Sequence, residues 1–165
     1  MSEGNDQYWN LNDITCAFCV GDRDRIVDAF LGHYKRAFRV GDVADRFLEM
    51  PVNPVDVVPH LPNAVADVLR MPRLPEVESE RIAGSPEEGM WVEVMSRPWI
   101  EMFAATRPDH LADILARWAR FAQDGYDPDP AKWASVTLAM ALAQLMELAS
   151  LSRSSGKPLL GLMAV

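Results

Sequence analysis

The sequence predicts a mainly α-helical chain: a compact multi-helical single domain of six or seven helices with one small two-stranded pairing. Three observations predict this class. Apolar residues recur with the helical period of about 3.6 residues through 22–40 and again through 109–122. A long segment at 130–154 is apolar, rich in alanine and followed by Gly156, a residue suited to a helix C-cap. The length of 165 residues suits one domain over 1–165, and we expect the 130–154 helix to lie at its centre.

Prolines set the limits of the elements in the first half of the chain. The pattern of residues 41–50 predicts a short helix that Pro51 ends. Four prolines in residues 51–62 exclude a helix there and indicate a loop. Residues 63–71 are again typical of a helix.

The second half opens with a candidate internal linker at 72–89, which holds three prolines, two glycines and five glutamates. Valine and tryptophan in 90–95 favour a short strand, which we expect to pair with a terminal strand at 158–164. Pro98 and Pro108 each stand where a proline commonly opens a helix.

The charge balance limits the classes of partner. With 24 acidic and 16 basic residues, the formal net charge is −8, which disfavours nucleic acid and anionic membrane as partners and favours a basic protein. No basic, apolar leader is visible at the N-terminus, and the apolar run 134–151 is too rich in small and polar residues for a membrane span. With two cysteines and no export signal, the prediction is a cytoplasmic protein.

Cys16 and Cys19 have the C-x-x-C spacing of redox and metal sites. A zinc finger fails on the histidine spacing, since only His33 follows at a suitable distance. A thioredoxin-type pair needs a preceding buried strand, whereas the preceding residues are polar. The prediction is two core cysteines on a helix, with no metal or cofactor; a metal or redox role is the alternative left open.

Two further groups of polar residues are candidates for chemistry. The aspartates of 124–130 do not have the spacing of a calcium loop, so a turn between helices is predicted. His110, Asp113 and Arg117 share one helix face, opposite the apolar face, and are predicted to be a solvated charged surface. The sequence therefore predicts no catalytic residues.

The predicted central helix holds a polar residue in an unusual place. On a helical projection, Gln144 and Thr137 fall within the apolar face, where an amide without a partner costs about 1–3 kcal/mol. A backbone partner would satisfy Gln144; alternatively the amide lines a ligand pocket. Tryptophans at helical spacing suit core packing; in the alternative with a pocket, Trp99 and Trp133 line it together with Thr137 and Gln144.

Residues 98–165 carry a pattern of tryptophans and leucines on two helices, then a long helix and a terminal "GKPL" segment. This half of the chain resembles a group of small uncharacterised bacterial proteins. The resemblance implies a bacterial origin and a compact helical domain. It transfers no activity and no site residue.

Two functions follow as hypotheses. The first is a non-enzymatic, acidic binding protein of the antitoxin, immunity or accessory type, which acts on another protein. The second is a small-molecule binder or enzyme with a pocket lined by tryptophan and methionine around Gln144. A homodimer formed through the apolar second half is compatible with both.

Overall fold

The fold is α+β, and the sequence-based expectation of a mainly α chain with one two-stranded pairing is wrong. The computed structural model describes residues 8–9, 16–32, 38–39, 44–50, 58–73, 79–123 and 136–164. These residues form a five-stranded antiparallel sheet, a separate two-stranded sheet and five α-helices. The sequence pattern predicted two paired strands, whereas the larger sheet has five.

The strands of the larger sheet come from both ends of the chain. In chain order the strands are β1 Tyr8–Trp9, β2 Cys16–Gly21, β3 Phe38–Arg39, β4 Ala44–Glu49, β5 Ser79–Ser85, β6 Met90–Met95 and β7 Leu159–Ala164. The larger sheet has the order β4-β2-β7-β6-β5, and β1 pairs only with β3. The C-terminal strand is therefore the middle strand, with the N-terminal β2 beside it.

The helices are α1 Arg23–Gly32, α2 Leu61–Leu69, α3 Arg97–Ala104, α4 Leu111–Gln123 and α5 Val136–Ser155, with short 3-10 turns at Val58–His60, Pro86–Glu88 and Pro108–His110. The predicted openings at Pro98 and Pro108 are confirmed, and Ser96 caps α3 by accepting a hydrogen bond from the backbone N–H of Trp99 at 3.3 Å. Gly156, at φ +75°, ends α5 as predicted.

Two predicted helices contain strands instead. Of the helix predicted over 22–40, Arg23–Gly32 form α1 and residues 38–39 lie in β3, while 33–37 lie outside the described residues. Residues 44–49, predicted as helical, form β4. A register shift beside Asp45 adds one residue to β4 and turns the preceding side chain to the other face of the sheet. Ala44 and Leu48 therefore lie in different core clusters, whereas on a helix their spacing of four would place them on one face.

The predicted pairing of 90–95 with 158–164 is confirmed. β6 and β7 run antiparallel in register from Met90 opposite Ala164 to Val94 opposite Leu160. The pair is the middle of a larger sheet, however, because β2 adds to the other side of β7 and β5 adds to β6. Residues 79–85 of the candidate linker are thus part of the sheet.

Helices cover both faces of the larger sheet. On one face, alternate residues of β2 such as Phe18 pack with α2, α3, α4 and α5 in the larger core cluster. On the other face, Ala17 and its neighbours Leu160 and Leu162 pack against α1 through Ile26 and Phe30. Because both faces are buried, β2 and β7 are apolar at nearly every position and lack the alternation of a half-exposed strand.

No helix in the described ranges combines the length and the apolar character needed to cross a membrane. The run 134–151, which is the most apolar of the sequence, largely falls in α5. This helix packs against α3 and against β2 and β4 of the sheet.

Candidate functional site

Of the four residues predicted to line a pocket around Gln144, the structure describes the side chains of Trp99 and Gln144, one of them buried and the other exposed. Trp99 is buried in the core, stacked on Phe103 with 3.8 Å between ring centroids. Gln144 is exposed on α5, so its interpretation as a buried amide is wrong. Thr137 lies in α5, but its side chain is outside the described part, as is the whole of Trp133.

The position of Gln144 follows from how α5 is rotated on the sheet. The buried side of this helix runs through Leu138, Leu142, Leu145 and Ala149. Glu147 lies on the exposed side with Gln144, and Met140 there is 57% exposed. Apolar alanines and methionines on both sides of α5 blurred the helical pattern, and the contact with the sheet decided which side is buried.

The cysteines belong to the core, as predicted, although they lie on a strand and not on a helix. Cys16 and Cys19 are both in β2, are free thiols and are buried. Residues three apart on a strand point to opposite faces of the sheet, and the two thiols belong to different core clusters. They therefore cannot share one ligand.

Burial also makes these thiols chemically inert at neutral pH. Removal from water raises the pKa of both thiols far above the usual range, and the carboxylate of Glu93 adds to the rise for Cys16. Within the described ranges no three cysteine, histidine or acidic side chains come together as a metal site would require. The aspartates of 124–130 lie outside those ranges.

The face predicted to hold His110, Asp113 and Arg117 is only partly solvated. The imidazole Nδ1 of His110 accepts a hydrogen bond from the backbone N–H of Arg107 at 3.2 Å, so it caps the 3-10 turn that precedes α4. Asp113 is exposed, as predicted. Arg117 instead reaches across to α2, where it meets Asp67.

Asp67 is held by two arginines from different parts of the chain. Arg73 donates to both carboxylate oxygens, from Nε at 3.0 Å and from Nη2 at 2.9 Å. Arg117 donates from Nε to Oδ2 at 2.9 Å. These hydrogen bonds, the one from Arg73 first, hold the pKa of the Asp67 carboxyl below its usual value, while burial opposes them.

An aromatic ring lies under the two guanidinium groups. The Cζ atoms of Arg73 and Arg117 are 5.4 and 5.3 Å from the ring centroid of Phe121, within the range of a cation–π interaction. The imidazole of His60 stacks on the same ring at 5.6 Å with an interplanar angle of 7°. Asp67 and Phe121 thus hold two arginine side chains in defined positions on the surface between α2 and α4.

Two more arginines extend this surface, which we call the arginine cluster: Arg70, Arg73, Arg117 and Arg120. Arg70 is the residue after α2, in the left-handed conformation at φ +55°, and Arg120 lines the same cleft between α2 and α4 as Arg117. The carboxylates of the cleft are Asp67 and Asp113. Among the described residues of this cleft, Arg117 and Arg120 face Asp67 and Asp113, and Arg73 adds a third guanidinium group at Asp67.

Sequence reasoning missed the arginine cluster. Arg117 was noted only with the neighbours on its own helix, because Asp67 is 50 positions away in the chain. The local signal is weak: two arginines at 70 and 73 and two at 117 and 120, each pair three residues apart. Only the packing of α2 on α4 joins the pairs.

Comparison of the chain with models of protein families finds no match, and comparisons with curated proteins and with solved structures find none either. The resemblance of residues 98–165 to small bacterial proteins stays a prediction. Function is therefore inferred from the residues of the site.

The ion pairs of Asp67 predict a pH-dependent contribution to stability. Because the pKa of Asp67 is lower in the folded chain than in the unfolded chain, its contribution is present above the usual value of 3.8 and is lost as pH falls below it. Asp67→Asn should lower the free energy of unfolding at pH 7 by less than about 1 kcal/mol and should flatten its decline between pH 5 and 3. Urea titrations across this pH range measure both effects.

The matched control is Asp113→Asn, at an exposed carboxylate in the same cleft that forms no ion pair with another described residue. It should leave the stability at pH 7 and its acid dependence close to those of the wild type. Equal acid dependence in the wild type and Asp67→Asn would contradict the prediction.

Proposed function

We propose that this protein binds an acidic segment of a partner protein at the arginine cluster and catalyses no reaction on it. The observation that carries the proposal is the arrangement of Arg73 and Arg117, which Asp67 and Phe121 hold at the surface. The side chains of both arginines remain partly exposed, at 49% and 40%. Their remaining N–H groups are available to carboxylates of a partner.

Preorganisation is the physical reason for choosing this surface. An arginine that is already held in place loses less side-chain entropy on binding, so more of the interaction energy appears as affinity. Arginine clusters are a recurring means of recognising acidic segments, because the guanidinium fork matches the geometry of a carboxylate. Met71, 44% exposed, lies between Arg70 and Arg73 and supplies an apolar contact of the kind enriched at interfaces.

The arginine cluster favours acidic side chains, whereas the net charge of the whole chain predicts a basic partner. The net charge of −8 predicts a basic partner, and long-range steering by the whole chain still favours one. The arginine cluster adds a short-range site for acidic side chains within such a partner. An antitoxin, immunity or accessory role remains part of the proposal, because each of these roles requires only binding.

The test uses two variants with the same loss of charge. Arg73→Gln combined with Arg120→Gln removes half of the arginine cluster and leaves the link from Arg117 to Asp67 intact. Arg81→Gln combined with Arg153→Gln removes two exposed arginines elsewhere, on β5 and α5. Fluorescence anisotropy with a labelled oligoglutamate peptide compares the wild type and both variants at low and high salt.

We expect the wild type to bind the peptide at low salt, the cluster variant to bind at least about tenfold more weakly, and the control to match the wild type within about twofold. Equal weakening in both variants would show that only overall charge matters and would overturn the proposal. A single-stranded oligonucleotide is the competing probe. Tighter cluster-dependent binding of the oligonucleotide than of the peptide would replace the protein partner with a nucleic acid.

A further inference from the structure

A cavity of about 470 Å³ lies on another part of the molecule, between α5, the connection from α3 to α4, and β4. Its floor is apolar and is formed by Pro108, Leu111, Ala143 and Met146. A volume of this size, an apolar floor and a few polar groups are the common features of small-molecule sites. None of its lining residues belongs to the arginine cluster.

The charged side chains at the rim of the cavity are Arg46, Arg107 and Glu147. Arg46 from β4 lies opposite Glu147 from α5, with 3.6 Å between Nη2 and Oε2. Arg107 contacts Asp109 with 3.3 Å between Nε and Oδ1 and 3.4 Å between Nη2 and Oδ2. The rim itself therefore carries two guanidinium groups and one carboxylate.

These rim contacts are long compared with those in the arginine cluster. Charge-assisted N–H···O bonds typically measure about 2.7–2.9 Å, which is the length of the bonds that Arg73 and Arg117 make to Oδ2 of Asp67. Contacts of 3.3–3.6 Å hold the guanidinium groups of Arg46 and Arg107 only loosely, and each side chain is more than half exposed. Both groups can therefore turn towards a ligand without breaking a short hydrogen bond.

We infer that this cavity binds a small amphipathic carboxylate, with its acid group on Arg46 and Arg107 and its apolar part on Leu111 and Met146. With Asp109 counted, the charged groups at the rim are formally balanced, but both cations and only one of the carboxylates line the cavity, which favours an acidic over a basic head group. A carboxylate matches the planar guanidinium fork, and the apolar floor gains by removal of a hydrocarbon chain from water. The inference goes beyond the proposed function and does not depend on it, since the two sites share no residue.

The experiment uses octanoate as the probe and octylamine as the probe of opposite charge, both measured by isothermal titration calorimetry. Arg46→Gln removes one rim cation, and Ala143→Phe fills the cavity from α5. Arg81→Gln is the matched control for the lost charge, on β5. Ala112→Phe is the matched control for the added ring, at an exposed position of α4 that does not itself line the cavity.

We expect octanoate to bind to the wild type and to both controls, and to bind about tenfold more weakly or not at all to Arg46→Gln and Ala143→Phe. Octylamine should bind more weakly than octanoate to the wild type. Far-UV circular dichroism and thermal unfolding of each variant separate loss of the site from loss of the fold.

Three results would overturn the inference: no heat of binding with octanoate, equal binding of octylamine, or octanoate binding that neither substitution weakens relative to its control. Failure here leaves the peptide result at the arginine cluster unaffected. Loss of peptide binding with octanoate binding retained would identify failure of the proposed function alone.

Discussion

Trp99→Ala is expected to lower the free energy of unfolding by about 3–5 kcal/mol, the usual cost of removing a large aromatic side chain from a packed core. The indole is 2% exposed and lies between the sheet and α3. It stacks on Phe103, one turn further along the same helix, and on Phe18 of β2 at 6.1 Å between centroids. Removing it leaves a cavity at the contact of helix and sheet, which chemical denaturation monitored by circular dichroism would measure.

Trp99→Phe is the control, because a phenyl ring retains stacking with Phe103 and fills part of the same volume. Its loss of stability should be clearly smaller than that of Trp99→Ala. The ligand-lining role predicted for Trp99 from the sequence leads to a different result, since a pocket residue can be truncated with little loss of stability. An unchanged denaturation midpoint in Trp99→Ala would therefore contradict the core position and support the pocket.

Gly84→Ala is the second substitution with a large expected effect, a loss of about 2–5 kcal/mol from strain and collision together. Gly84 in β5 has φ +70°, a conformation that other residues seldom adopt. A Cβ at this position would overlap the carbonyl oxygen of Met90 and would lie 2.8 Å from the Cα of Trp91. Both atoms belong to the backbone of β6, so they cannot rotate away, and β5 would be forced off the sheet edge.

Gly156→Ala separates the two contributions. Gly156 has a similar φ of +75°, but a Cβ there meets no heavy atom within 4 Å. Its substitution should cost only the conformational term, roughly 1–2 kcal/mol. Thermal or urea unfolding of the two variants side by side gives the comparison. Equal losses in Gly84→Ala and Gly156→Ala would show that the approach of β5 to β6 is not a tight one.

Gly84 and Trp99 are two residues whose roles could not be predicted from the residues near them in the chain. The glycine was one of several turn-forming residues in the candidate linker 72–89, and nothing near it in the chain showed that β6 would pass so close. Trp99 was recognisable as the third residue of a proline-opened helix. Whether it faced a ligand or the core depended on β2, more than 70 positions away along the chain.

The missed strands have the same origin. Cys16–Gly21 is buried on both faces of the sheet, so it shows no alternation of apolar and polar residues and can be mistaken for part of a helix. Ala44–Glu49 lies at the sheet edge with a register shift that disturbs the period of two. By contrast, the strands at 90–95 and 159–164 could be predicted from nearby residues. Valine and tryptophan indicate the first strand, and a glycine and a proline precede the second.

The sequence by itself determined the starts of α3 and α4, the end of α5, the strand character of β6 and β7 and the core position of the cysteines. Capping residues, prolines and residue hydrophobicity act within a few positions, so these features are set locally. The tertiary structure alone decided the size of the sheet, the exposure of Gln144 and the meeting of Asp67 with Arg117. Each of these depends on which distant segments pack together, and contacts between distant segments produce no periodic pattern in the sequence.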